Sequence, residues 1–145
     1  MQIETTRFGK VEFDETDVIT FDNGLIGMES CCRWALLADA DNPLLGWLQS
    51  LDHADVALAV VSPRRFVNDY HVRVRARDLE PLKLPTPEAA QVLVIVSKSG
   101  GSLALNLKAP VVINLEQRAG RQIVAKDDHA VQHLVKATLP LRRTA

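Results

Sequence analysis

The chain lacks most of the features from which chemistry is read. Among its 145 residues are two cysteines, Cys31 and Cys32, and they are adjacent. Neighbouring cysteines do not suit the Cα separation of a relaxed disulfide, which disfavours a disulfide-built secreted domain and fits a reducing compartment. An excess of one charge is also missing: 17 basic side chains face 18 acidic ones, a net charge of −1. That balance supplies no long-range field for nucleic acid or an anionic membrane. No apolar run approaches the ~20 residues that a membrane-spanning helix needs. Met1-Gln2-Ile3-Glu4 opens in a strand-like pattern, without the basic segment and apolar run of a signal peptide. These absences predict a soluble cytoplasmic protein. Long helical patterns are absent too, and Pro81, Pro85 and Pro87 forbid a long helix around Asp78 to Leu84.

What is present is strand. Apolar residues make up 47% of the chain, an ordinary globular share, and the length suits one domain over 1–145. Gln2 to Thr6, Val11 to Phe13, Val18 to Phe21, Trp34 to Ala38, Leu45 to Ser50 and Val92 to Lys98 all read as strands. Val56 to Val61 is almost wholly apolar, as a strand buried on both faces would be. Ser62-Pro63 opens a helical turn to Phe66, with Ser62 as N-cap. Val72 and Val74 alternate with Arg73 and Arg75, which suggests a basic edge strand over His71 to Arg77. Leu103, Leu105 and Leu107 alternate with Ala104, Asn106 and Lys108, a strand with one buried face, interrupted at Ala109-Pro110. Val111 to Ile113 resumes it. A turn follows in which Gly120 supplies positive φ, and Gln122 to Val124 is the return strand. Val131, Leu134 and Val135 give Asp128 to Lys136 a helical spacing, and the basic end Pro140 to Ala145 reads as loose. Many short strands without alternating long helices predict a mostly β fold, a small antiparallel β-barrel with short helical turns.

Chemistry-bearing residues are sparse. His129 and His133 share a face only if their segment is helical, and two histidines fall short of the three or four ligands a zinc site takes. Cys31 and Cys32 have no histidine near them in sequence to act as a base. Gly24 and Gly27 in D-N-G-L-I-G-M-E lack the lysine and the helix N-terminus of a phosphate loop. They read as backbone devices that hold Leu25, Ile26 and Met28 in a compact loop, either structural or presented to a partner. Arg64, Arg65, Arg73, Arg75 and Arg77 are the one basic cluster, without the interleaved aromatics of a nucleic-acid site. Trp47 reads as core, and Gln49 and Asn106 are amides in otherwise apolar strands.

Four of these stretches combine. I-E-T-T-R-F-G-K-V-E-F, F-D-N-G-L-I-G-M-E, W-L-Q-S-L-D and L-N-L-K-A-P-V-V-I-N resemble, in order and spacing, the FliW family of flagellar assembly factors over residues 1–125. Met28 replaces the family's usual phenylalanine and Asp22 a common proline, and 126–145 is a divergent tail. The resemblance implies a monomeric, cytoplasmic, non-enzymatic β-barrel without cofactor or metal. It implies binding to flagellin and to the translational regulator CsrA, with no direct nucleic-acid or membrane binding. Freed when flagellin is exported, such a protein captures CsrA and lets flagellin translation resume. The partner-binding residues expected are Leu25, Gly27, Met28, Gln49, Asn106 and Asn114. The alternative is a small β-barrel enzyme or ligand binder, such as a flavin-binding protein.

Overall fold

A computed structural model of the protein describes residues 1–136. The expected loose end, Pro140 to Ala145, lies outside them. The strands are β1 (Gln2–Thr5), β2 (Gly9–Glu12), β3 (Val18–Thr20), β4 (Arg33–Ala38), β5 (Gly46–Ser50), β6 (Ala57–Val61), β7 (Gln91–Ser99), β8 (Ser102–Leu105), β9 (Val111–Asn114), β10 (Ala119–Gln122) and β11 (His133–Lys136). The helical content is short: α1 (Ala76–Leu79) and a few 3-10 turns, among them Glu80–Leu82.

Strands β3 to β7 pair in sequence order, β7 pairs with β9, β9 with β10, and β10 returns to β3, so seven strands close into a barrel. Every pair around it is antiparallel except the closing one, where Ala119 of β10 lies parallel to Thr20 of β3. Closure leaves those seven strands without an open edge. β1 and β2 form a separate hairpin, tied to the barrel by the Thr6 N–H to the Ala54 carbonyl at 3.1 Å and by Phe8 edge-on to Trp47, 5.6 Å between ring centres.

The break at Ala109-Pro110 has a topological purpose. One edge of β7 is used twice: Val96 to Ser99 pair with β8, and Gln91 to Leu93 pair with β9. Between Val96↔Leu105 and Leu93↔Val111, two residues of β7 face the five residues 106–110, a bulge with three extra residues. Bulges bend strands. Here the bend lets β9 continue round the barrel to β10, while β8 leaves it and pairs with β11.

Alternation along β5 explains two cores. Leu48 points inward and joins Ile19, Phe21, Trp34, Val60 and Ile113 inside the barrel. Trp47 points outward and joins Val61, Val96, Leu105 and Tyr70 in a second core. β5 to β7 are thus covered on both faces, which is why Val56 to Val61 reads as a continuous apolar run.

Several expectations need correction. His133–Lys136 is a strand against Ser102–Leu105, not part of a helix, so His129 and His133 do not share a helical face. Residues 71–75 lie outside the sheet, and the helical turn begins at Ala76, so Ala76 and Arg77 are helical where an edge strand was expected. Ala104 is buried as well as Leu103 and Leu105, because β8 lies between β7 and β11. Gly120 does not supply the positive φ of its turn; Arg118 does, at 52°. The return strand begins at Ala119, earlier than expected. Ser62 sits at the N-cap position without a side-chain cap.

Candidate interaction surface

The loop after β3 is a rigid plug. Leu25 and Met28 exchange backbone hydrogen bonds, Leu25 N–H to Met28 O at 3.3 Å and Met28 N–H to Leu25 O at 2.8 Å, around a two-residue turn of Ile26 and Gly27. Gly27 supplies the φ of 85° that an L side chain rarely adopts. Gly24, at φ 63°, passes so close to Met28 and Glu29 that a Cβ would meet their backbone at 2.6–2.7 Å. Leu25 is fully buried in the barrel core, and Met28 is half-buried against it. Of the two readings of this loop, structural or presented to a partner, burial makes Leu25 structural: its side chain anchors the loop, and Met28 largely shares that task. Ile26, 56% exposed, is the apolar side chain that the loop presents.

Two side chains hold that presentation. Gln122 Oε1 accepts the Ile26 N–H at 2.8 Å, and Glu29 Oε2 accepts the Gly27 N–H at 2.8 Å. The Gln122 amide also donates to the Ala109 carbonyl at 3.1 Å, so the turn, β10 and the bulge are linked through one residue. Gln122 was not anticipated as a site residue, because 96 positions separate it from Ile26 and no local pattern joins them. Asp52 was missed for the same reason: its Oδ2 accepts the N–H groups of Cys32 (2.8 Å) and Arg33 (3.0 Å). Asp22 and Glu29, both exposed, are the carboxylates of the loop itself.

The expected amides hold backbone. Gln49 is fully buried, and its Nε2 donates to the carbonyls of Ser50 (2.9 Å), Ala54 (3.3 Å) and Val56 (3.1 Å), closing the β5–β6 turn. Asn114 is buried; its Nδ2 donates to the Leu82 carbonyl at 2.8 Å and its Oδ1 accepts from Glu116 and Gln117. Half-buried Asn106 accepts the Ala109 N–H at 3.1 Å inside the bulge. The structure thus brings Leu25, Gly27 and Met28 together and places Gln49, Asn106 and Asn114 in separate turns.

Chemistry is thin among the described residues. No group of three or more metal-ligating side chains is present there. Cys31 is buried and free; Cys32, also free, faces the Glu29 carbonyl at 3.5 Å. A cleft between Thr20, Asn23, Leu82 and Arg118 holds about 130 Å³. Small-molecule pockets run from ~300 Å³ upward, so this cleft is small for a flavin. No helix among the described residues is long and apolar enough to cross a membrane.

On another side, Tyr70 donates its hydroxyl to the Leu107 carbonyl at 2.7 Å and meets the His129 ring at a tilt, 4.7 Å between ring centres. Burial, assisted by the Asp127 charge, pushes Tyr70 up to about 12. Desolvation acts to raise the Asp127 carboxyl, but the Arg73 N–H bond and the charges of His129 and Arg73 outweigh it and hold it below the usual range. Asp78 is lowered chiefly by its hydrogen bond from Arg75.

Comparison with known proteins is consistent over almost the whole described chain. The family model described as "FliW protein" matches residues 2–135. A flagellar assembly factor FliW of Bdellovibrio bacteriovorus is 37% identical over 131 residues, 89% of this chain and 75% of that protein. The FliW of Natranaerobius thermophilus is 34% identical over 137 residues, covering 92% and 91%. A crystal structure of the flagellar assembly factor FliW superposes with a TM-score of 0.85 at 24% identity, covering 92% of this chain and 96% of that one; this likeness speaks for the fold alone.

Proposed function

The chain belongs to the FliW family of flagellar assembly factors, and from that premise we propose that it antagonises the regulator CsrA and also binds flagellin, by mutually exclusive contacts and without bond chemistry. Flagellin, while abundant, occupies the protein. Its export frees the protein to capture CsrA, which relieves repression of flagellin synthesis. Such a switch needs no catalytic group. It needs a surface that binds each partner in one conformation, and a flagellin complex that dominates when flagellin is plentiful.

The observation that carries this reading is the pinned turn at Ile26. The turn that carries this exposed apolar side chain is fixed, its Ile26 and Gly27 N–H groups donating to Gln122 and Glu29 and Leu25 anchoring it beneath, so its backbone loses little freedom when a partner covers it. Preorganisation of that kind improves affinity by cutting the ordering cost. The loop's own exposed carboxylates, Asp22 and Glu29, suit a basic partner such as a regulator that grips RNA phosphates. The working form is a cytoplasmic monomer.

Purified protein tests the reading. CsrA and flagellin of the same organism, each immobilised, should retain it at micromolar concentration, and Ile26→Asp should weaken retention on at least one. Failure of both to bind overturns it. A colourless preparation without visible absorbance speaks against the flavin-binding alternative.

A further inference from the structure

The hydrogen-bonded backbone groups of His71 and Arg73 all meet residues 126–129, the one-sided pattern of an extended segment with two unequal edges. Exposure alternates along it: His71, Arg73 and Arg75 face outward, while Val72 and Val74 are half-buried against hydrophobic clusters beneath. One edge is occupied. The Arg73 N–H donates to the Asp127 carboxylate, the Arg73 carbonyl accepts the Lys126 N–H at 2.7 Å, and the His71 carbonyl meets His129 Nε2. In an extended chain, backbone groups of successive residues point to opposite edges. The N–H and C=O groups of Val72 and Val74 therefore line the other edge, and among the described residues none of them has a hydrogen-bond partner. Backbone polar groups left unpaired by protein are held by water. Among the described residues this is an open edge, already stiffened along its far side.

We propose that this edge receives an extended acidic segment of a partner protein by strand addition. Main-chain bonds to Val72 and Val74 would supply affinity, and alternate side chains would supply specificity. Along the outward face, His71, Arg73 and Arg75 recur about 6.6 Å apart, the spacing of every second residue in a strand. The Arg64 guanidinium donates to the Tyr70 carbonyl at 3.2 Å and adds its charge at one end, and Arg77 follows at the other. The segment's own neighbours display the pairing: Asp78 lies 3.1 Å from the Arg75 guanidinium and Asp127 3.8 Å from that of Arg73. Arg73 remains 84% exposed along its side chain. Nucleic acid fits less well. The segment has no Phe, Tyr or Trp to stack on a base, and the whole chain carries a net charge of −1.

The test uses the full chain and a short fluorescent peptide that alternates glutamate with valine, read by anisotropy at low salt. The expected result is saturable binding, weakened about tenfold by Arg73→Glu and equally by N-methylating alternate peptide nitrogens, as loss of one or two such bonds predicts. Lys98→Glu, on another exposed site, should leave it unchanged. Circular dichroism should show Arg73→Glu folded. The proposal is overturned if the wild-type chain does not bind the peptide, if N-methylation or Arg73→Glu has no effect, or if an RNA oligonucleotide of equal charge binds more tightly. Retention of CsrA and flagellin is measured separately, so failure here leaves the assembly-factor reading standing.

Discussion

Gly120 lies directly against the ring of Phe21: a Cβ on it would stand 2.4 Å from Phe21 Cζ and 2.7 Å from both Cε atoms. The contact sits at the closing seam, where β10 and β3 share a single pairing, Ala119 with Thr20. Phe21 is fully buried and meets Trp34 edge-on at 6.5 Å, so its ring has no room to retreat. Gly120→Ala should cost about 1–3 kcal/mol, the usual range for overpacking. Thermal unfolding should show a midpoint lower by about 3–10 °C. An unchanged midpoint would mean that the seam yields.

Ile26 and Met28 should separate presentation from anchoring. Ile26→Asp changes an exposed side chain and should leave stability within about 0.5 kcal/mol, while weakening a partner complex. Met28→Asp introduces a carboxylate against Leu25 and the barrel core, and should lower stability measurably. Denaturant titration of both variants, beside partner retention, distinguishes the roles. Equal destabilisation by the two would remove Ile26 as a presented residue.

Asn114→Ala should destabilise by about 1–3 kcal/mol, because it leaves the Leu82 carbonyl and the N–H groups of Glu116 and Gln117 without their partner. Urea unfolding measures it. The loss should appear without any partner present, which marks Asn114 as a holder of the fold rather than a docking group.

The contacts of Tyr70, Asp78 and Asp127 should give stability two pH limbs. Asp127 and Asp78 are held below the ordinary carboxyl range in the fold, so their contribution is complete above an unfolded pKa of about 3.9 and is lost as pH falls through their lower folded values. Tyr70 works the other way. Its pKa is raised to about 12, so its contribution is present below the unfolded value of about 10 and is lost between there and about 12. Tyr70→Phe should remove the alkaline limb, and Asp127→Asn should shrink the acid one. Denaturant midpoints across pH check both.

Much of the barrel was legible because short apolar, strand-forming runs are a local signal. Val56 to Val61, Val92 to Lys98 and Trp34 to Ala38 announce themselves from their own residues. What escaped depended on distant partners. His133–Lys136 is a strand because β8 offers it an edge, although the spacing of Val131, Leu134 and Val135 suits a helix equally well. Gly120 is glycine because of Phe21, nearly a hundred positions away, and not because of its own turn. The same limit governed the site. The loop D-N-G-L-I-G-M-E was recognisable as a compact device, but which apolar residue it presents was settled by burial: Leu25 inward, Ile26 outward. Gln49 and Asn114 looked available to partners because a sequence does not display the carbonyls that occupy them.

Exclusive binding of the two protein partners is open to a competition experiment. CsrA is bound to the purified protein, flagellin is added in increasing amounts, and released CsrA is measured. CsrA should leave in step with flagellin occupancy, and Ile26→Asp should alter at least one of the two affinities. A stable ternary complex with CsrA retained at saturating flagellin, or no binding of either partner, would contradict it.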